Sequence, residues 1–99
     1  MKKVFYALMG FKDKKTLERK EGDYDEKLGV YYTKEKNGWT VTDGYSGSSI
    51  VVGKATKEEC KKALSGAMAK LKEIRNSEKY LQNVINYKEM VDDETAMPF

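Results

Sequence analysis

An Asn37-Gly38 pair lies between two runs of β-branched and aromatic residues, and this arrangement most constrains how the chain can fold. Asn-Gly is a strong signal for a tight hairpin because both residues tolerate positive φ. The flanking runs cover residues 28–33 and 39–42. A third run at residues 49–52 follows a connection that holds two glycines. The pattern predicts three antiparallel strands in a meander.

The alternation of side chains within these strands predicts two different sheet faces. One face is expected to lie against the core, and it carries Val30, Tyr32, Trp39, Val41, Asp43, Ile50 and Val52. The opposite face is polar but bears aromatic residues, and it carries Tyr31, Thr33, Thr40, Thr42, Ser49 and Val51. This second face is the surface in the sequence that most suggests a binding role.

Helices are predicted after the strands. Residues 56–75 carry one apolar stripe at spacings of three and four, made of Cys60, Ala63, Leu64, Ala67, Met68, Leu71 and Ile74. Thr56 and Glu59 have the spacing of a capping box, which marks the start of a helix. A second amphipathic helix is predicted to begin at Ser77, with the hydroxyl as its cap, and to continue to Val91. Residues 92–99 are predicted to form an acidic, flexible tail.

The N-terminal segment is ambiguous because its apolar run, within residues 3–11, is short. Val4, Phe5, Leu8 and Met9 fit a helical face, whereas Val4, Tyr6 and Leu8 fit an alternating strand equally well. Both readings remain open, and a helix is favoured for much of residues 2–20. The sequence therefore predicts one α+β domain over residues 1–91, with a three-stranded sheet packed against one or two C-terminal helices.

Composition argues against most enzyme classes. The chain has no histidine and one cysteine, which removes the Ser-His-Asp and Cys-His arrangements, the commonest zinc sites and an intrachain disulfide. Cys60 lies on the apolar stripe and is expected to be a small core residue. Ser46 lacks the glycine spacing of a nucleophile elbow and is expected in a hairpin turn. We expect no catalytic residues, no metal site and no cofactor.

Localisation is inferred from the same sequence. No stretch approaches the roughly 20 apolar residues that a transmembrane helix needs. The short N-terminal apolar run is followed by charged residues and not by a signal-peptide cleavage site. We expect a cytoplasmic protein without membrane contacts.

Aromatic content indicates a binding role. Seven tyrosines and one tryptophan occur in 99 residues, and both residue types are frequent at binding hot spots. The candidate partner-binding residues are Tyr24, Tyr31, Thr40, Thr42 and Tyr45. The expected function is that of a non-enzymatic binding protein with a larger protein partner. A homodimer is a further expectation, because two amphipathic helices offer more apolar surface than a three-stranded sheet can cover.

Residues 29–74 resemble in layout the C-terminal part of a double-stranded RNA-binding domain, in which three strands precede a helix. The resemblance implies phosphate contacts from a glycine-rich corner and from lysines at the helix start, here Lys54, Lys57, Lys61 and Lys62. Glu58 and Glu59 depart from the basic pattern of that family, and the net charge is only +3. Nucleic-acid binding through these lysines is the alternative function.

A second resemblance covers the middle third of the chain. The segment Trp39-x-Val41-Thr42-Asp43-x-x-Ser46-Gly47-x-x-Ile50, with Gly53 and residues 56–59 after it, is similar to short proteins of bacteriophages and mobile elements. Some of these are inhibitors of host defence enzymes, of the anti-CRISPR type. The resemblance implies a phage-encoded inhibitor that occludes a surface of a host defence protein, which would be a nucleoprotein effector.

Overall fold

The computed structural model describes residues 2–11 and 14–95. Five strands form one antiparallel sheet in the order of the sequence, and three helices follow them. The elements are β1 (Lys2–Phe11), β2 (Lys14–Asp25), β3 (Val30–Glu35), β4 (Gly38–Asp43), β5 (Ser49–Lys54), α1 (Lys57–Gly66), α2 (Met68–Arg75) and α3 (Glu78–Thr95). The α+β class and the antiparallel meander are confirmed, but the sheet has five strands and not three.

The two additional strands come from the N-terminal segment. β1 and β2 form a long hairpin whose register runs from Lys2 opposite Asp23 to Phe11 opposite Lys14. The helix favoured for residues 2–20 is therefore wrong. The segment is a strand, but its buried residues are Phe5 and Ala7, two residues apart on one side of the hairpin. The alternating set Val4, Tyr6 and Leu8 lies on the other side, where Val4 is 46% exposed.

Two bulges shift the pairing of β4 with β5. The register changes between Trp39 and Val41, and again between Val41 and Thr42. An extra residue in one strand changes which side chains face the core. As a result, Val51 packs against the core, whereas Val52 is 64% exposed. The predicted faces of these two valines are thus reversed.

The helix predicted over residues 56–75 is divided into α1 and α2 at Ala67. The division follows Ser65 and Gly66, and such pairs are common sites of helix kinks. Thr56 caps α1 as predicted, because its hydroxyl accepts a hydrogen bond from the Glu59 amide at 3.1 Å. No helix among the described residues has the length and apolarity needed to cross a bilayer.

The second predicted helix is α3. The Ser77 hydroxyl accepts a hydrogen bond from the Tyr80 amide at 3.2 Å, which confirms the predicted cap. The helix continues to Thr95 and so includes the first four residues of the segment predicted as a tail. The remainder of that segment, residues 96–99, lies outside the described residues.

The core lies between one face of the sheet and the first two helices. Its buried members are Val30, Tyr32, Val41, Cys60, Leu64 and Leu71, and Trp39 and Ile50 are among the partly buried residues packed against them. The predicted core position of Cys60 is confirmed, because this residue has no exposed surface.

The opposite face of the sheet is also covered. The ring of Phe5 stacks on that of Tyr31, with 4.2 Å between the ring centroids. Thr33, Thr40 and Thr42 are buried. The sheet curves enough for the Leu8 amide of β1 to donate a hydrogen bond to the Gly47 carbonyl, in the β4–β5 connection, at 2.8 Å. The polar face predicted as an available surface is therefore largely interior.

Candidate functional site

Three of the five predicted partner-binding residues come together in one cluster. Tyr24 of β2 and Tyr31 of β3 are directly opposed in the sheet. Their ring centroids are 4.7 Å apart and the rings are tilted by 36°. Directly opposed side chains on one face of an antiparallel pair are close enough to pack together. Strand pairing alone therefore brings these two tyrosines into contact.

Tyr45 joins this cluster from the connection between β4 and β5. Its ring lies over Gly29, where a Cβ atom would be 2.5 Å from the ring. Gly29 also has a φ of +66°, a conformation that favours glycine. The absence of a side chain at Gly29 is thus what allows Tyr45 to lie at this position, where 49% of its surface remains exposed.

Two cations lie over the tyrosine rings. The guanidinium carbon of Arg75 is 5.2 Å from the ring centroid of Tyr45, and the Lys3 ammonium is 5.1 Å from that of Tyr24. Both distances are within the range of cation–π attraction. We call Tyr24, Tyr31 and Tyr45, with Lys3 and Arg75, the tyrosine cluster.

A buried carboxylate holds Arg75 in place. Arg75 Nη2 donates to Asp43 Oδ1 at 2.7 Å, while Oδ2 accepts from the Tyr80 hydroxyl at 2.7 Å and from the Ser46 hydroxyl at 2.6 Å. The Ser46 amide adds a bond of 3.2 Å to Oδ2. Asp43 thereby connects the β4–β5 connection with α2 and α3. The sequence predicts Asp43 on the core face but gives no sign of Arg75 and Tyr80 as its partners, because both are more than 30 residues away.

The hydroxyls of Tyr24 and Tyr31 both have a raised pKa. Burial raises the pKa of Tyr24, and the neighbouring Tyr45 raises it further. Burial also raises the pKa of Tyr31, with an additional effect from Tyr24. Neutral phenols of raised pKa are poor bases and poor nucleophiles near pH 7. They are well suited to contact through their rings and to hydrogen bonding through their hydroxyls.

The two predicted threonines do not share this exposed surface. Thr42 is directly opposite Tyr31 in the sheet, but only 2% of its surface is exposed. Thr40 is also buried, and its hydroxyl donates to Glu35 Oε2 at 3.1 Å. Both residues are covered because the β1–β2 hairpin curves over this face. In this structure neither offers appreciable surface to a partner.

The four lysines of the alternative function form two pairs in different places. Lys57 donates to Asp23 Oδ2 at 2.9 Å, and Lys61 lies, like Lys57, over the ring of Tyr32. This hydrogen bond from Lys57 holds the pKa of Asp23 below its ordinary value. Lys54 and Lys62 instead line a depression that also contains Glu59. Nearby carboxylates reduce the positive potential that either pair presents to a phosphate.

Other reactive side chains are enclosed. Burial raises the pKa of the Cys60 thiol and so disfavours the nucleophilic thiolate. Ser46 is buried, and its hydroxyl is bonded to Asp43. Within the part of the chain that the structure describes, no three Cys, Asp or Glu side chains are grouped as metal ligands.

A cavity of about 380 Å³ lies beside Asp43, between β5, α2 and α3. Ile50, Leu71 and Ile74 supply apolar walls, and Tyr80 and Asn83 of α3 close one side. Sequence reasoning did not find this cavity, because it depends on how α3 packs.

Comparisons with protein-family models, with curated proteins and with solved structures gave no match to this chain.

Proposed function

We propose that this chain is a non-enzymatic binding protein that contacts a larger protein partner through the tyrosine cluster. The observation that carries the proposal is the convergence of Tyr24, Tyr31 and Tyr45 from three separate segments onto one partly exposed surface. Arg75 lies against the same surface. Tyrosine and arginine are among the residue types enriched at the energetic centres of protein interfaces.

The cluster is ordered before any partner binds. Tyr45 is positioned over Gly29, and Arg75 is fixed by its ion pair with buried Asp43. Immobilising a flexible side chain at an interface costs about 0.5–1.5 kcal/mol. Because the native fold already restrains Tyr45 and Arg75, much of this cost is absent from the binding step. A restrained aromatic surface of this kind favours specific association.

The resemblance of the middle segment to phage and mobile-element inhibitors gives the first class of partner to test. We propose that the partner is a host defence protein of the CRISPR type and that the tyrosine cluster occludes one of its working surfaces. This mechanism needs no catalytic group in the inhibitor. The enclosed positions of Cys60 and Ser46 are compatible with it, because neither side chain is available as a nucleophile.

The test compares the wild type with Tyr45→Ala and Tyr24→Ala in affinity capture from a bacterial host lysate, followed by mass spectrometry and titration of the captured protein. Loss of a hot-spot side chain costs about 2 kcal/mol or more, so we expect binding to weaken roughly 30-fold. Val52→Ala is the matched control, because Val52 is exposed and contributes to no contact of the cluster. If both tyrosine variants bind every captured protein as the wild type does, the proposal is wrong.

The nucleic-acid alternative is tested by a separate experiment. A mobility-shift assay with duplex RNA and duplex DNA at low salt would show a complex that weakens steeply as salt is added, because bound lysines release counterions from phosphates. Lys54→Glu combined with Lys62→Glu would weaken such a complex, because two of the four candidate lysines would be replaced by acidic residues. A shift of this kind, together with failure to capture a protein, would favour the alternative.

A further inference from the structure

One side of α3 is attached to the body of the protein, and the adjacent side is not. The Tyr80 hydroxyl bonds to Asp43, and the Tyr87 hydroxyl donates to the Tyr6 carbonyl at 2.6 Å. Leu81 and Ile85 point away from these attachments and are 53% and 51% exposed. Residues four apart lie next to each other on a helix, so these two side chains form one continuous apolar stripe.

We propose that this stripe of α3 binds the same stripe of a second copy of the chain, with the two helices antiparallel. A two-fold interface requires each residue to meet its complement on the other copy. If the two-fold axis crosses the helix pair at the level of residue 83, midway between Leu81 and Ile85, then Leu81 of each copy meets Ile85 of the other. Each exposed apolar residue then covers the other.

The charged residues beside the stripe have the same symmetry. Glu78 and Lys88 are both exposed, and each is five residues from position 83. At about 100° per residue they flank the centre of the stripe by roughly 40° on opposite sides. The two-fold operation therefore places Lys88 of the second copy against Glu78, and Glu78 of the second copy against Lys88. A parallel arrangement would instead bring like charges together.

Two tyrosine hydroxyls attach α3 to the body of the protein. Tyr80 and Tyr87 are two helical turns apart and both are hydrogen bonded to other elements. Neither Glu78 nor Lys88 has an ion pair with another residue of the described chain. Both charges thus remain available to the second copy. A small two-helix contact predicts weak association, with a dissociation constant in the micromolar range or above.

The experiment is sedimentation equilibrium of the full chain over a wide concentration range, with four variants. The wild type is expected to be in a monomer–dimer equilibrium. Glu78→Lys alone and Lys88→Glu alone each replace two attractive contacts by repulsive ones, and each is expected to raise the dissociation constant about tenfold. The double variant Glu78→Lys/Lys88→Glu restores both contacts with reversed signs and is expected to dimerise like the wild type.

Lys79→Glu is the matched control, because Lys79 is exposed but lies away from the stripe, and it should leave the equilibrium unchanged. A wild type that remains monomeric at every concentration overturns the proposal, as does a double variant no better than the single variants. Circular dichroism of each variant separates loss of association from loss of folding. This inference does not depend on the tyrosine cluster, so either proposal can fail without the other.

Discussion

At the scale of single residues, Asp43 connects distant parts of the fold. Its carboxylate accepts hydrogen bonds from Ser46, Arg75 and Tyr80, which lie in the β4–β5 connection, α2 and α3. Burying a carboxylate is costly unless donors replace the lost water. Here both carboxylate oxygens accept hydrogen bonds, so the complete network stabilises the fold. Loss of one partner would leave a buried polar group unsatisfied and would destabilise it.

We predict that Asp43→Asn lowers the free energy of unfolding by about 2–3 kcal/mol, because hydrogen bonds to a charged group are worth more than neutral ones and the new NH₂ group must face a donor. Urea denaturation followed by circular dichroism gives the measurement. Asp93→Asn, at an exposed position of α3, is the control and should change stability by less than about 0.5 kcal/mol. Equal stability of the two variants would show that the Asp43 network contributes little.

At the scale of elements, Gly47 is the point where β1 and α3 meet the β4–β5 connection. Its carbonyl accepts the Leu8 amide, and its α-carbon lies against the ring of Tyr87. Its φ of +72° is in the region that favours glycine. The Tyr87 hydroxyl then bonds to β1 at Tyr6, so one short segment positions both the first strand and the last helix.

We predict that Gly47→Ala is more destabilising than Gly53→Ala by about 1–3 kcal/mol, because the new methyl group overlaps the Tyr87 ring. Gly53 has a similar φ of +75°, but a Cβ there would approach the Asn37 carbonyl oxygen no closer than 3.8 Å. The pair therefore separates the steric effect from the cost of positive φ. Urea denaturation measures both variants, and limited proteolysis reports whether α3 is released. Equal destabilisation would mean that Tyr87 moves away at little cost.

The elements show which features the sequence could predict. The strands around Asn37-Gly38 and the caps at Thr56 and Ser77 were predictable because each depends on residues a few positions apart. The N-terminal hairpin was not, since its apolar run is too short for its period to separate strand from helix. The two bulges between β4 and β5 likewise reverse the sheet faces on which Val51 and Val52 lie, and the alternation of apolar and polar residues does not predict this reversal.

The candidate site was predictable only in part, for a similar reason. Aromatic character predicts Tyr24, Tyr31 and Tyr45 as candidates, and strand pairing brings the first two together. The position of Tyr45 instead depends on Gly29 and Arg75, which are 16 and 30 residues away from it in the sequence. Thr40 and Thr42 were expected on a working face. The β1–β2 hairpin covers that face, and this could not be foreseen while residues 2–20 were favoured as a helix.

At the scale of the whole molecule, the sheet is covered on both faces. The helices α1 and α2 cover one face, and the curved β1–β2 hairpin covers the other through Phe5. Cys60 lies in the cluster between the sheet and the helices and has no exposed surface. A reagent can therefore reach its thiol only when α1 separates from the sheet or when the whole domain unfolds.

We predict that Cys60 reacts with a thiol reagent such as DTNB only through global unfolding. A domain with about 5 kcal/mol of stability would then react some 10³–10⁴ times more slowly in the native state than when unfolded. Burial, which raises the pKa of the native thiol, further suppresses any direct reaction. The decisive comparison uses Asp43→Asn, which should accelerate labelling by the same factor by which it raises the unfolding constant in urea. If labelling of this variant is no faster than that of the wild type, Cys60 becomes accessible by local opening of α1, and the core and the Asp43 network belong to separate cooperative units.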